Sequence, residues 1–163
     1  MNDTDYMKLA LSEASKALRE GEIPIGAVIT YKGLIIAAAH NRKENKKDPT
    51  CHAEIEAIRE ASRVLSRWRL TGTSLYVTIE PCPMCAGAIL SSRISRVIYG
   101  APNKQYGAFD SVFHLNEGLA LNYKTEIVSG ILSSSCQDIM NQFFRQKRAQ
   151  GIPSMHGAVS KWS

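Results

Sequence analysis

The sequence predicts a three-layer α/β/α domain built on a mixed, five-stranded central sheet. Three observations carry that expectation. Helical and strand-like periodicities alternate along 163 residues, close to the length of one domain. Two apolar runs sit back to back across a tight turn, which asks for an antiparallel pair. Further on, a strand, a helix and a strand follow in order, which asks for a right-handed parallel crossover within one sheet, with helices covering both faces.

Each element follows from its pattern. Met7, Ala10, Leu11, Ala14, Ala17 and Leu18 fall at offsets 0, 3, 4, 7, 10 and 11, the one-face repeat of an amphipathic helix that Gly21 ends. Residues 25–30 and 34–39 are apolar runs separated by Tyr31-Lys32-Gly33, and read as a hairpin in the middle of the sheet. After a polar loop over 41–49, a second helix is expected over 50–67, wet on Glu56, Arg59, Glu60, Arg63 and Arg67 and dry on Ala57, Ile58, Ala61, Leu65 and Trp68. Residues 75–79 and 97–99 read as strands on either side of a helix over 83–91, and 127–129 as a fifth strand after a long polar loop. Cys136, Ile139, Met140, Phe143 and Phe144 repeat at 0, 3, 4, 7 and 8 and give the last helix. Residues 1–150 are thus expected to form a single domain and 151–163, without period, a flexible tail.

Composition narrows the class. Apolar residues make up 44% of the chain and charged residues 21%, which excludes disorder over most of its length. The first residues are acidic and no run of about 18 apolar residues occurs, so secretion and membrane spanning are excluded and a cytoplasmic chain is expected. In that setting four cysteines point to metal binding or chemistry rather than a disulfide frame. Of the net charge of +5, Arg145, Lys147, Arg148 and Lys161 supply +4 after Asn141 with no acid among them. Such a stretch is either a solvated helix end, where cations suit the macrodipole, or a surface for a polyanion.

Glu54 is the local anomaly. It lies 3, 4, 7, 11 and 14 residues before the five dry positions of its helix, on the stripe that faces inward. A carboxylate is rarely buried without a partner. Cys82-Pro83-Met84-Cys85 alone could be a redox pair, half of a structural zinc site or two buried thiols. Pro81 before it, His52 thirty residues upstream and Glu54 two residues after that histidine narrow the choice. One imidazole and two thiolates suit Zn²⁺ and leave its fourth tetrahedral position open, the arrangement of a catalytic site. Cys82 and Cys85 are three apart at a helix start, so both sulfurs face one way. His52 begins the other helix, and two positive helix ends favour thiolates there. A redox reading leaves His52 and Glu54 unexplained. Cys51, the nearest candidate for a fourth ligand, directly precedes His52 and would have to bend to the same ion. Cys136 reads as a small hydrophobe on its helix stripe, and His40, His114 and His156 have no ligand spacing.

His52-Ala53-Glu54 followed by Pro81-Cys82-Pro83-Met84-Cys85 matches the H-x-E and P-C-x-x-C signature of zinc nucleobase deaminases. Over residues 6–148 the chain resembles the bacterial tRNA-specific adenosine deaminases. The similar segments are 22–28 (EIPIGAV), His40-Asn41, 48–55 (DPTCHAEI), 75–89 (LYVTIEPCPMCAGAI), Ser111, 130–132 (GIL) and 143–145 (FFR). The resemblance implies a cytidine deaminase-like fold, a homodimer, one zinc per chain, and conversion of the wobble adenosine of a tRNA anticodon stem-loop to inosine. It implies His52, Cys82 and Cys85 on the metal and Glu54 as proton shuttle. Asn41 would meet the flipped nucleoside and Ile23 its base, with Ala53 and Pro81 beside them. Asn103, Lys104, Phe144, Arg145, Lys147 and Arg148 would contact RNA. The chain departs from the family pattern at Tyr123, where histidine is usual, at Lys104, one residue earlier than is common, and at Cys51, usually a small residue. A free-base or nucleoside deaminase of guanine or cytosine type would not need the basic aromatic helix end. A non-catalytic, zinc-stabilised RNA-binding module would not need Glu54 on the dry face.

Overall fold

Helix α1 (Asp3–Arg19) starts with a capping box: Asn2 Oδ1 accepts the Asp5 amide and the Asp5 carboxylate accepts the Asn2 amide, each at 3.0 Å. Of its predicted stripe, Met7, Ala10, Ala14 and Ala17 are buried and Leu11 and Leu18 half-buried, with Tyr6 buried beside them. The computed structural model describes residues 1–117 and 124–151. Tyr123 and the expected tail beyond Gly151, with His156 and Lys161, lie outside the described residues.

Strands β1 (Gly26–Tyr31), β2 (Leu34–His40), β3 (Thr73–Ile79), β4 (Arg96–Ala101) and β5 (Glu126–Ser129) form one sheet in the order β2-β1-β3-β4-β5. β1 is antiparallel to both β2 and β3, while β3, β4 and β5 run parallel. The sheet is mixed and five-stranded, as expected. The hairpin is not in its middle, however: β2 is an edge strand, with Leu34 70% and Ile35 45% exposed. An apolar run alone does not say whether one side or both are covered. Here Ala37 turns inward, while β1, flanked on both sides, is buried at five of its six positions.

Two apolar layers sandwich the sheet. Val28, Tyr76 and Ile98 pack against Tyr6, Met7 and Ala10 of α1 and against Cys136 of α5 (Ser133–Ala149). Ala27, Ile29, Leu75, Val77 and Val97 pack against α3 (Ala53–Leu65) and α4 (Pro83–Ser92) through Ala57, Ala61, Ala86 and Ile89. Gly100 lets α5 come close: a Cβ there would collide with Cys136 and the Thr78 carbonyl. Cys136 is fully buried, a small hydrophobe as read.

Three details differ from the sequence pattern. Within the polar loop, Lys43–Lys46 forms one helical turn, α2, which the buried Glu22 carboxylate holds by accepting the Glu44 and Asn45 amides. α3 begins at Ala53, because Thr50 is taken into a turn by Asp48, whose carboxylate accepts the Thr50 amide at 2.8 Å. It ends at Leu65, where Ser66 adopts a left-handed φ of 50°. Trp68 therefore leaves the dry stripe. It is 55% exposed and carries the Arg69 and Arg93 guanidiniums 4.4 and 5.5 Å from its ring. Among the described residues no helix is long and apolar enough to cross a membrane.

Candidate active site

His52 and Cys82 occupy equivalent places, each the residue before a helix: His52 precedes α3 and Cys82 precedes α4, whose first position is Pro83. A proline there has the φ a helix needs and no amide to leave unpaired. Cys85 lies in the first turn of α4 and is fully buried. The two helix starts meet as the spacing predicts. His52 Nδ1 is 3.4 Å from Cys85 Sγ and 3.7 Å from Cys82 Sγ, and all three donor atoms lie within 4.8 Å of one another. Tetrahedral zinc with ordinary Zn–N and Zn–S bonds separates nitrogen from sulfur by about 3.6 Å. The donor set therefore fits zinc in chemistry and spacing. Among the described residues it is the one cluster of histidine, cysteine and acid groups suited to a metal. Cys51 is buried but outside it: its sulfur is 3.8 Å from Arg59 Nη1.

Charge within the site is already organised. A hydrogen bond from Cys85, against the cost of burial and with help from His52, pulls the Cys82 thiol down to about 4. The same bond and burial raise Cys85. The bond to Cys82 raises His52 against burial. Glu54 is 3% exposed, and its Oε2 is buried with no hydrogen-bond partner in the protein. Burial, reinforced by the Cys82 charge, pushes Glu54 up to about 7. A carboxyl poised near neutrality with one free oxygen is suited to taking and returning a proton.

A cavity of about 980 Å³ opens onto this group. His52, Ala53, Glu54 and Cys82 lie at its lining with Ile23, Ile25 and Asn41, and Pro102 to Tyr106 form another part of it. α5 contributes Met140, Phe143, Phe144 and Lys147. The sequence-predicted Ile23, Asn41, Ala53, Asn103, Lys104, Phe144 and Lys147 are thus brought together at one opening. Pro81 is buried, does not line the cavity, and its carbonyl accepts the Ala108 amide at 2.9 Å. Arg145 and Arg148 are exposed on α5 beyond the lining. Lys43, Lys104 and Lys147 place three cations at the lining.

Two acids that pattern reading passed over hold this opening in shape. Glu80, 1% exposed, accepts the amides of Asn103, Phe109, Asp110 and Ser111 at 2.9 to 3.3 Å, and the Ser111 hydroxyl. Burial pushes its pKa up, but Ser111 and these amides outweigh burial and hold it low. Gly107 passes so close that a Cβ would sit 2.5 Å from both the Glu80 carboxylate and the Asn103 carbonyl. Leaving one such buried amide unpaired costs about 1–3 kcal/mol, so Glu80 dictates the path of the loop beside Cys82. Glu22, also 1% exposed, does the same for the wall that carries Asn41, accepting Asn41 Nδ2 at 3.4 Å. The signal for both was an acid set inside an apolar or turn segment.

The family model of the MafB19-like deaminases matches residues 1–148. A tRNA-specific adenosine deaminase of Bacillus subtilis is 45% identical over 146 residues, covering 90% of this chain and 91% of that protein. One from Streptococcus pyogenes serotype M1 is 46% identical over 153 residues, covering 94% and 90%. Among solved structures, one from a study of A-to-I editing by tRNA:A34 deaminases superposes with a TM-score of 0.81 at 42% identity, covering 83% of this chain and 99% of that one. A domain of this layering, with its histidine, two cysteines and buried glutamate gathered at one cavity, has the relatives its site calls for: the chain belongs to the MafB19-like deaminases, and within them to the tRNA-specific adenosine deaminases.

Proposed function

We propose that this chain deaminates adenosine to inosine at the wobble position of a tRNA anticodon, with zinc held by His52, Cys82 and Cys85. The observation that carries the reading is the unpaired, buried Oε2 of Glu54 beside that donor set, at the cavity that Glu54, His52 and Cys82 line. Bound there, zinc supplies the Lewis acidity that makes water a nucleophile near neutral pH. Glu54 takes one proton from the attacking water and passes it to the purine ring nitrogen, then takes the second from the oxygen newly bonded to C6 and passes it to the amino group, which leaves C6 as ammonia. Ile23 lies against the unstacked base, Asn41 holds the nucleoside, Ala53 borders it, and Pro81 sets the backbone that leads into Cys82.

The anticodon loop lies over the opening. Phe144 offers a face for an unpaired base, and Asn103, Lys104 and Lys147, with Arg145 and Arg148 outside the rim, meet the backbone. A homodimer in the cytoplasm completes the reading. Pro83, Met84, Gly87 and Ser91 leave an exposed, uncharged face on α4, opposite its buried Cys85, Ala86, Ile89 and Leu90, and Val112 and Phe113 are exposed on the loop that Glu80 secures. Such a face asks for cover, and a second copy of the chain supplies it.

Turnover on an anticodon stem-loop set against free adenosine, guanine and cytidine tests the substrate class; preference for guanine or cytidine would replace this reading. Neutralising Arg145, Lys147 and Arg148 together is expected to weaken stem-loop binding and to flatten its salt dependence, by roughly 0.7–0.9 of a unit of slope per lost phosphate contact. Zinc content should stay the same. An unaltered slope, with only a small loss of stability, would reduce these cations to helix-end charges.

A further inference from the structure

Glu22 takes no part in the reaction as described, yet it is among the most buried acids of the chain. It follows the turn at Gly21, whose φ is +75°, and one of its oxygens accepts the Asn45 amide at 2.6 Å. The other accepts the Glu44 amide at 3.2 Å and Asn41 Nδ2 at 3.4 Å. Facing three donors, this carboxylate acts only as an acceptor, so the Asn41 carboxamide must turn its NH₂ toward it. That leaves Asn41 Oδ1, buried and without a partner, as the group this side chain offers the cavity it lines. A buried acceptor left unpaired is costly, and a donor on the ligand removes the cost.

Few donors fit. On adenine, N3 and N7 accept hydrogen bonds, and the N–H groups belong to the amino group that departs. Inside an RNA chain the 3′ and 5′ oxygens of a nucleotide are esterified, so the free hydroxyl that remains is the 2′-hydroxyl. We infer that Glu22 is a specificity-determining positioning residue: it locks the Asn41 carboxamide with Oδ1 toward the bound nucleotide, where it accepts from the ribose 2′-hydroxyl and selects RNA over DNA. The inference rests on the nucleotide reading proposed above.

The test compares two stem-loops that differ only in ribose or 2′-deoxyribose at the target adenosine. The parental enzyme is expected to lose about tenfold or more in kcat/KM on the deoxy substrate. Glu22→Gln, which has one acceptor oxygen for three donors, should lose a similar factor on the ribo substrate, change little on the deoxy substrate, and so bring their ratio close to one. Adding Glu22→Gln to Asn41→Ala should leave the ribo-to-deoxy ratio of Asn41→Ala unchanged, because Glu22 acts on that ratio through Asn41. A discrimination ratio unchanged in Glu22→Gln, or one that falls further in the double variant than in Asn41→Ala, would overturn the inference. A substrate-free arm uses NMR of the parental protein, with the Asn41 side-chain amide assigned by its loss in Asn41→Ala. One Nδ2 proton held slow to exchange supports the lock, and free exchange of both overturns it. That arm also decides the matter if Glu22→Gln does not fold or if the parental enzyme leaves the stem-loop untouched, an outcome that would count against the substrate reading alone.

Discussion

Glu54→Ala is expected to fold, keep its zinc and lose nearly all turnover. General acid and base catalysis by one side chain is worth about 10²- to 10⁴-fold, and here one residue serves as both acid and base. Little structural loss should accompany the change. Oε2 has no hydrogen-bond partner in the protein, so removing the carboxyl breaks no contact at that oxygen, and it relieves the burial that pushes this acid up to about 7. The check is single-turnover kinetics on the stem-loop together with metal analysis of the same sample. A variant that kept half the parental rate would exclude Glu54 as the proton shuttle.

Cys82→Ala and Cys85→Ala should each empty the metal site, whereas Cys51→Ala and Cys136→Ala keep about one zinc per chain. The two classes differ in where the sulfur sits. Cys82 and Cys85 lie 3.7 and 3.4 Å from His52 Nδ1. Cys51 instead meets Arg59, and Cys136 is buried between α5 and β4 beside Gly100. Because ligand binding stabilises the folded state by mass action, loss of zinc should also lower the melting temperature of the first pair, beyond the packing loss that any buried Cys→Ala change brings. Metal content of the four purified variants decides it. Loss of zinc from Cys51→Ala would mean a fourth protein ligand and no open position for water.

The parts of the site that are legible in the sequence are those that helical period and motif spacing encode. Glu54 declares itself because it falls on the dry stripe of its own helix, and the structure leaves it 3% exposed. The two cysteines and His52 are legible through their spacing, H-x-E followed by P-C-x-x-C, and the structure sets all three at helix starts. Glu22 and Glu80 are not legible in this way. Most of their partners are main-chain amides 22 to 31 residues further along, and amides have no side-chain identity to read. The edge position of β2 was hidden for a related reason: Leu34 and Ile35 look like core residues, and only the order of the strands shows that they border solvent. Trp68 was misplaced because a helical pattern continues on paper past Ser66, where the backbone turns left-handed.

Hydrolytic deamination replaces the amino group on C6 of the target adenosine with an oxygen taken from water, and isotope labelling follows that oxygen directly. An anticodon stem-loop would be incubated with the zinc-loaded enzyme in H₂¹⁸O, digested to nucleosides and weighed by mass spectrometry. The expected result is inosine from the wobble adenosine alone, carrying one ¹⁸O, with ammonia released in equal amount and neither product formed by Glu54→Ala. An unmodified wobble adenosine, inosine without the label, or equal conversion by Glu54→Ala would contradict the account.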